Sequence, residues 1–306
     1  SPISKIVSSY IFNHFFYRLK MTYSQLRAFH CVATYGGFSK AAEKTQHSQP
    51  VLSGHVKQLE ESHDNLLFKR EKKRISLTSA GKELFVLTKQ FFEVEEQINS
   101  HLSKSSASVS GKIRIVADSA IHIIKILKSF RKIYPDVMVD LTIGNSREVT
   151  NSIRNYDAEI GVIGSPVEGP DLQTVTLGTS KIKAIASKKF FNPIPNSLSF
   201  QDLRKLPLIF RENGSHTRET LVSEALEKKV ELSPVIEVTG REALHELVAN
   251  GLGVGFVSYA EIGQDPRLIN LDIDTGNAEM TETLMYLTAR KEVPVIRAFL
   301  KATEKP

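Results

Sequence analysis

Residues 37–59 read GFSKAAEKTQHSQPVLSGHVKQL. Gly37 closes the segment before it. Ala41 and Ala42 are small enough for close packing of a short helix over Lys40–Lys44, with Ser39 placed to help cap it. Gln46-His47 is a polar turn. Ser48 is placed to cap a further helix, and Pro50 falls in its first turn, where a missing N–H costs nothing. Val51, Leu52, His55, Val56 and Leu59 recur along that helix, while Gln49, Ser53, His55 and Lys57 leave a polar face for a partner. Two helices joined by a short turn, the second opening on short polar side chains, predict a helix-turn-helix whose second helix enters a DNA major groove.

The flanks extend this reading. Upstream, Leu26, Phe29, Val32 and Ala33 share one face of a helix over 24–35, stopped by Gly36-Gly37. Downstream, Lys69-Arg70-Glu71-Lys72-Lys73-Arg74 carries five positive charges in six residues, and Ile75-Ser76-Leu77 alternates like a strand. By itself such a run is usually a solvated loop; beside a recognition helix it predicts a basic hairpin, or wing, that touches phosphate or the minor groove. Charge distribution agrees. The chain has 306 residues and a net charge of +6, yet residues 1–110 hold 15 Lys and Arg against 9 Asp and Glu, whereas residues 111–306 hold 25 of each. All the positive excess therefore lies in the first third, as expected for a polyanion-binding module joined to a neutral one. Chance surface charge is the plain alternative.

Thr78 is placed to cap a long helix in which Leu84, Leu87, Phe91, Val94 and Ile98 are spaced 3, 4, 3 and 4. That is the a/d seam of a coiled coil. Burial against the chain's own domain is the alternative, but the polar intervening face and the Ser-rich stretch from Ser103 to Ser110 favour an exposed seam that pairs with a second copy.

Residues 23–84 resemble the N-terminal winged helix-turn-helix of LysR-type transcriptional regulators. The resemblance is carried by Leu26-Arg27-Ala28-Phe29, Gly37-Phe38-Ser39-Lys40-Ala41-Ala42, Ser48-Gln49-Pro50, Ser53, Lys57-Gln58-Leu59-Glu60, Leu67-Phe68-Lys69-Arg70 and Leu77-Thr78-Ser79-Ala80-Gly81. It implies DNA contacts from Ser48, Gln49, Pro50, Val51, Ser53 and Lys57, and wing contacts from Arg70, Lys72, Lys73 and Arg74. It also implies dimerisation through the linker helix, as a homodimer or homotetramer, on a pseudo-palindromic operator in double-stranded DNA. Three positions depart from the family pattern: Gly54 stands where arginine is usual, Thr45 where leucine is common, and His63-Asp64 where a leucine-glycine turn is.

The neutral module alternates strand and helix. Strands are expected at Lys112–Ala117, Val137–Ile143 and Ala158–Ile163, with helices over 121–134 (Ile123, Ile124, Leu127 and Phe130 inward) and 146–155 between them. A second unit has strands at Lys183–Ser187, Pro207–Phe210, Pro234–Val238 and Gly253–Ser258, with helices over 216–229 and 241–250. Thr283–Thr288 then returns, and a helix over 294–303 closes the chain. Two α/β lobes with a returning C-terminal segment resemble the periplasmic-binding-protein-like effector domain of the same family. The fold class expected is thus α+β multidomain: a winged helix-turn-helix over 21–80, a linker helix over 81–105, and an effector domain over 111–306, with lobe I at about 111–180 and 287–306 and lobe II at about 181–286.

Ligands of such sheets lie outside the carboxyl ends of the strands. The turns there carry Ser119, then Asn145, Ser146 and Arg147, then Ser215 and Thr217, then Arg241; Arg218 follows in the third turn. Hydroxyls and backbone N–H groups at helix N-termini favour an anion. Any single one of these residues is more simply a helix cap; four such turns facing one cleft point to a small anionic effector. Several stretches, among them Ala117-Asp118-Ser119 and Arg211-Glu212-Asn213-Gly214-Ser215, resemble regulators associated with 2-aminoethylphosphonate catabolism. That resemblance implies a phosphonate effector whose amine meets a carboxylate such as Asp118, Glu212 or Glu242; a carboxylate or amino-acid effector is the alternative.

Other functions fit less well. His122, His216 and His245, the histidines after residue 110, form no HExxH spacing, and no GxSxG elbow occurs, so no enzyme, cofactor or metal site is expected. A free solute-binding protein would lack the basic module. The glycines of Gly251-Leu252-Gly253-Val254-Gly255 precede a strand, which makes them a helix-to-strand turn and not a dinucleotide loop. Cys31 is the only cysteine, so no intrachain disulfide forms and a cytoplasmic protein is expected. No run reaches 18 apolar residues, so no membrane partner is expected. Residues 1–20, with Ile11, Phe12, Phe15, Phe16 and Tyr17 ahead of Arg18 and Lys20, have the wrong order for a secretory signal. They are read as an extension, native or added, before Met21, with an amphipathic anchor as the alternative.

Overall fold

The computed structural model describes residues 21–71, 74–102, 109, 111–165, 167, 169–274 and 279–304, less the side chains of residues 71, 74, 100 and 101. The extension 1–20, Lys72 and Lys73 lie outside the described residues. The chain divides into two compact units between residues 105 and 106. None of the described helices is long and apolar enough to cross a membrane.

In the first unit, α1 (Tyr23–Tyr35) starts at Thr22, whose hydroxyl accepts the Gln25 N–H while Gln25 Oε1 accepts the Thr22 N–H. It ends at Gly36 in the left-handed region, φ 68°. The next helices are α2 (Phe38–Thr45) and α3 (Gln49–His63). Phe29, Val32, Ala41 and Val56 are fully buried where the three pack. Ser39 was expected to cap α2, but Gly37 takes the cap position; Ser39 lies inside the helix and its hydroxyl donates to Gln49 Oε1 at 3.1 Å. Asp64 ends α3 with φ 48°, filling with a short polar side chain the left-handed position usually given to glycine.

Strands β1 (Phe68–Glu71) and β2 (Arg74–Leu77) pair antiparallel as the expected hairpin, Phe68 opposite Leu77. The buried Glu60 carboxylate accepts the N–H groups of Leu67 and Phe68 at 2.8 and 3.0 Å, tying the hairpin's entry to α3. Helix α4 (Ser79–Leu102) follows, its first turn capped by Thr78, whose hydroxyl accepts the Gly81 N–H. A Cβ at Gly81 would sit 2.1 Å from the Leu67 carbonyl oxygen, so this close crossing requires glycine. The expected seam divides. Leu84 is half-buried against this unit's own core, because α4 begins beside the hairpin. Leu87, Phe91, Val94 and Ile98 are 58, 47, 52 and 54 % exposed, a continuous apolar stripe on which the Phe91 ring alone meets an aromatic ring of another described helix, that of Tyr23 at 6.4 Å between centroids.

In the second unit, β3 (Gly111–Ala117), β4 (Val137–Ile143) and β5 (Ile160–Ile163) are parallel, β3 in the middle. Their crossovers are α5 (Ile124–Ile133) and α6 (Ser146–Arg154). A 3-10 turn over Ala120–Ile123 precedes α5. Its three-residue period offsets the helical phase, so Ile126, not the expected Ile124, turns inward; Ile124 is 56 % exposed. Ile113, Ile115, Phe130, Ile160 and Phe299 form the core of this first lobe.

The 16-residue β6 (Leu172–Ser187) then leaves the first lobe for the second. Only its last five residues were read as a strand; before them Val175 and Leu177 pack on the first-lobe core from an otherwise mostly polar, partly exposed stretch. The second lobe holds β7 (Ser197–Leu198), α7 (Phe200–Leu203), β8 (Leu208–Arg211), α8 (His216–Glu227), β9 (Pro234–Val238), α9 (Arg241–Ala249), β10 (Gly255–Ser258) and β11 (Leu268–Ile273). β10 and β11 flank the end of β6 antiparallel, and β8 pairs β9 in parallel. Gly253 passes so close to Pro207 that a Cβ would lie 2.3 Å from its carbonyl oxygen. Finally β12 (Glu279–Leu287) returns alongside β6, and α10 (Pro294–Thr303) packs on the first lobe. Thr283–Met285 already pair with β5, so the return into lobe I comes before the expected residue 287.

Candidate DNA-binding face and effector site

At the start of α3, Ser48, Gln49, Pro50 and Val51 are all exposed. Ser48 holds the cap position but its side chain makes no capping bond, which leaves the hydroxyl available. Ser53 is half-buried. Lys57 is exposed and pairs with Glu61 at 3.5 Å. Gly54 faces open space. On the hairpin, Arg70 is exposed, with its guanidinium carbon 5.3 Å from the centre of the Phe38 ring. The side chain of Arg74, like Lys72 and Lys73, lies outside the described residues.

Between the two lobes of the second unit, the N-termini of α6, α8 and α9 converge on one small polar cavity. Ser146, Ser215, Thr217 and Arg241 line it, as the turns between strand and helix predict, and so does Asn145. Their states differ. Asn145 Oδ1 is committed to capping α6, accepting the Glu148 N–H at 3.0 Å. Ser146 donates to Asp118 Oδ2 at 3.3 Å. Ser215 is buried at the α8 cap position without a capping bond. The other candidates do not reach the cavity. Ser119 is 1 % exposed and caps the 3-10 turn, accepting the Ile121 N–H. Arg147 points outward, 67 % exposed, and pairs with Glu219 of the other lobe at 3.4 Å. Arg218 is held by Glu237 and the Arg211 carbonyl. The free space is about 10 Å³, room for about one water molecule, so the lobes are closed on each other.

The residues the sequence undervalued are Asp118, His122, Glu261 and Glu282. His122 Nε2 lies 3.1 Å from Glu261 Oε1 and Nδ1 lies 3.2 Å from Glu282 Oε2. Arg241 completes the group with an ion pair to Glu261 and a 3.4 Å bond to the Asp118 carbonyl. Burial works against the imidazolium of His122, but the Glu261 hydrogen bond and the surrounding carboxylates outweigh it and raise its pKa. Glu261 is pushed up by burial and pulled further down by His122 and Arg241, for a net lowering. Asp118 is raised, chiefly by burial, against the Gly164 N–H that it accepts at 2.7 Å. Burial likewise lowers His216, which also lines the cavity. Ligand atoms of Asp118, His122 and Glu261 lie within 4.8 Å of one another, a metal-like spacing. Both ring nitrogens of His122 already face carboxylates and Arg241 neutralises Glu261, so His122 and Glu261 are satisfied as a charge network. Asp118 and His122, four apart at a helix start, were a local signal; Glu261, some 140 residues away, had none.

Comparison with known proteins agrees with both halves. Residues 23–82 match the bacterial regulatory helix-turn-helix protein of the lysR family, and residues 106–305 match the LysR substrate binding domain. The chain is 28 % identical over 273 residues to the HTH-type transcriptional regulator CysL of Bacillus subtilis, covering 87 % of this chain and 91 % of that protein. It is 25 % identical over 284 residues to the HTH-type transcriptional activator CmpR of a Synechocystis strain, covering 91 % and 93 %. Its fold is similar to that of full-length OxyR from Pseudomonas aeruginosa, with a TM-score of 0.77, 17 % identity and 93 and 95 % coverage. It is also similar to full-length CbnR in complex with its target DNA, with a TM-score of 0.63, 18 % identity and 93 and 99 % coverage. The two matches together span most of the chain, and the relatives named are transcriptional regulators and not enzymes: the chain belongs to the LysR family of DNA-binding transcriptional regulators.

Proposed function

We propose that this regulator binds a pseudo-palindromic operator as a homodimer or higher homo-oligomer, and that a small anionic metabolite between the two lobes changes that binding. Support for the DNA contacts comes from Ser48, Gln49, Pro50 and Val51 exposed at the start of α3, with Ser53 and Lys57 further along, and from Arg70 on the hairpin. Lys72, Lys73 and Arg74 add phosphate contacts by sequence alone. The exposed stripe from Leu87 to Ile98 supports pairing of two copies. Cys31 and the regulatory role suit a reducing cytoplasm.

The observation that carries the effector reading is the convergence of three helix N-termini on one cavity, with the Ser146, Ser215 and Thr217 hydroxyls and the Arg241 guanidinium around it. A phosphonate such as 2-aminoethylphosphonate suits these donors and the resemblance of the flanking stretches; a carboxylate would use the same donors. With about 10 Å³ free, any such molecule enters only when the lobes part along β6 and β12. A ligand changes DNA affinity only by binding two such arrangements unequally. Fluorescence anisotropy on a labelled operator at two salt concentrations, with and without 2-aminoethylphosphonate or acetate, tests both halves. An operator affinity equal to that for random duplex, or unchanged by every anion tried, rejects the corresponding half.

A further inference from the structure

Three carboxylates and two cations share the buried space between the lobes: Asp118, Glu261 and Glu282 against His122 and Arg241. Arg211, which also lines the cavity, is held by Glu212 and adds no net charge. His122 spends its two nitrogens on Glu261 and Glu282, and Arg241 spends its charge on Glu261. Asp118 is left over. Its Oδ2 accepts from the Ser146 hydroxyl and the Gly164 N–H, both neutral donors. Its Oδ1 is closed off from solvent, belongs to a cavity-lining residue and has no hydrogen-bond partner. A buried carboxylate oxygen without a partner is costly, and the groups that relieve it are a proton, a metal ion or a ligand donor.

A simple anion does not relieve it: placed among the Ser146, Ser215 and Thr217 hydroxyls, it would add a second negative charge next to Asp118. A divalent cation would have to displace the hydrogen bonds of His122 and sit beside the Arg241 guanidinium. An ammonium carried by the same ligand meets neither obstacle. We propose that Asp118 is an ammonium subsite, so that the effector is a zwitterion whose anionic group meets the helix N-termini while its primary amine meets Asp118 Oδ1. This rests on the reading of the cleft as an anion site.

The test is calorimetry on the full chain with matched pairs that differ only in the amine: 2-aminoethylphosphonate against ethylphosphonate, and β-alanine against propionate. The amine-bearing member of at least one pair binds about tenfold or more tighter, as a charge-assisted bond to a buried carboxylate requires. Asp118→Asn brings that ratio close to one without weakening the amine-free member. The comparison of pairs in the unsubstituted chain stands even if this variant folds poorly. Equal affinity within both pairs overturns the ammonium subsite and leaves the anion reading intact. Ethylamine binding as tightly as the zwitterions, and lost in Asp118→Asn, keeps the subsite and removes the anion reading. No binding by any of them at millimolar concentration overturns both. Zinc binding that Asp118→Asn abolishes assigns the carboxylate to a metal and overturns the proposal.

Discussion

His122 Nε2 and Glu261 Oε1 lie 3.1 Å apart and join the turn after β3 to the turn after β10, hence one lobe to the other. Both side chains are nearly inaccessible, so the contact is a buried charged link. His122 has a raised pKa, so its contribution to stability is complete below its unfolded value of 6.5 and is lost as pH rises through the higher folded value. Glu261, with a lowered pKa, contributes above 4.5 and loses that only as pH falls through its folded value. The link is therefore strongest in mildly acidic solution and weakens on the alkaline side. Asp118, raised by burial, loses stability in the same direction as pH rises above 3.8, so a slope alone does not isolate His122.

The comparison with His122→Gln isolates it. Removing one partner of a buried charged pair costs about 3–5 kcal/mol. That deficit is largest near pH 6 and shrinks as pH rises, because the unsubstituted protein then gives up the same charge. Thermal melts of both proteins at several pH values measure it, and a deficit independent of pH would rule out the imidazolium.

How far the sequence alone leads depends on whether a residue acts locally. Thr78 was legible because a helix cap is set within a few residues, whereas the close crossing of Gly81 with Leu67 spans fourteen and was not foreseen. The polar turns Ser146 and Ser215–Thr217 were found because strand ends and helix starts are local too. Arg147 carried the same signal, yet its outward direction is fixed by Glu219 on the other lobe. Glu261 and Glu282 gave no signal for this cluster, since the His122 that they face lies more than 130 residues away. The first eleven residues of β6 were missed for another reason: only Val175 and Leu177 mark a face toward the first-lobe core there, too short an alternation to read as a strand.

Gly54 lies on the exposed side of α3, with nothing within 4 Å of a Cβ built there and no positive φ. Gly54→Arg should therefore fit. It adds a cation where LysR-type regulators usually carry one, and should strengthen binding to any duplex and steepen log K against log salt by about 0.9. Arg70→Ala should flatten that slope by a similar amount. Gln49→Ala should instead change preference among sequences, by about 1–3 kcal/mol at one base pair. Titrations at three salt concentrations on operator and random duplex separate these effects; identical slopes for all variants would remove both residues from the interface.

Leu87 and Phe91 are each about half exposed along the α4 stripe, whereas Leu84 packs into its own unit. Leu87→Glu with Phe91→Glu would place charge in an apolar seam and shift the protein toward monomer. Leu84→Ala should act differently, lowering stability through a lost core contact without dissociating the assembly. Light scattering over a concentration series, beside a thermal melt, distinguishes them. An unchanged oligomer after the double substitution would move the interface off this helix.

Ser215 and Asn145 both occupy helix cap positions beside the cavity, but only Asn145 caps. Asn145→Ala should cost about 1 kcal/mol of stability, because it leaves the Glu148 N–H without its acceptor. Ser215→Ala breaks no cap, so stability should stay within about 0.5 kcal/mol. If the Ser215 hydroxyl serves a ligand, its loss should weaken binding by about 0.5–1.5 kcal/mol, up to roughly tenfold. Arg147→Ala removes an exposed ion pair worth about 0–1 kcal/mol and should leave ligand affinity unchanged. Melting and calorimetry with 2-aminoethylphosphonate on the three variants therefore give opposite patterns for a cap and for a ligand donor. If Ser215→Ala lowers stability as Asn145→Ala does and leaves affinity intact, the hydroxyl belongs to the helix and the anion site must be built from Ser146, Thr217 and Arg241 without it.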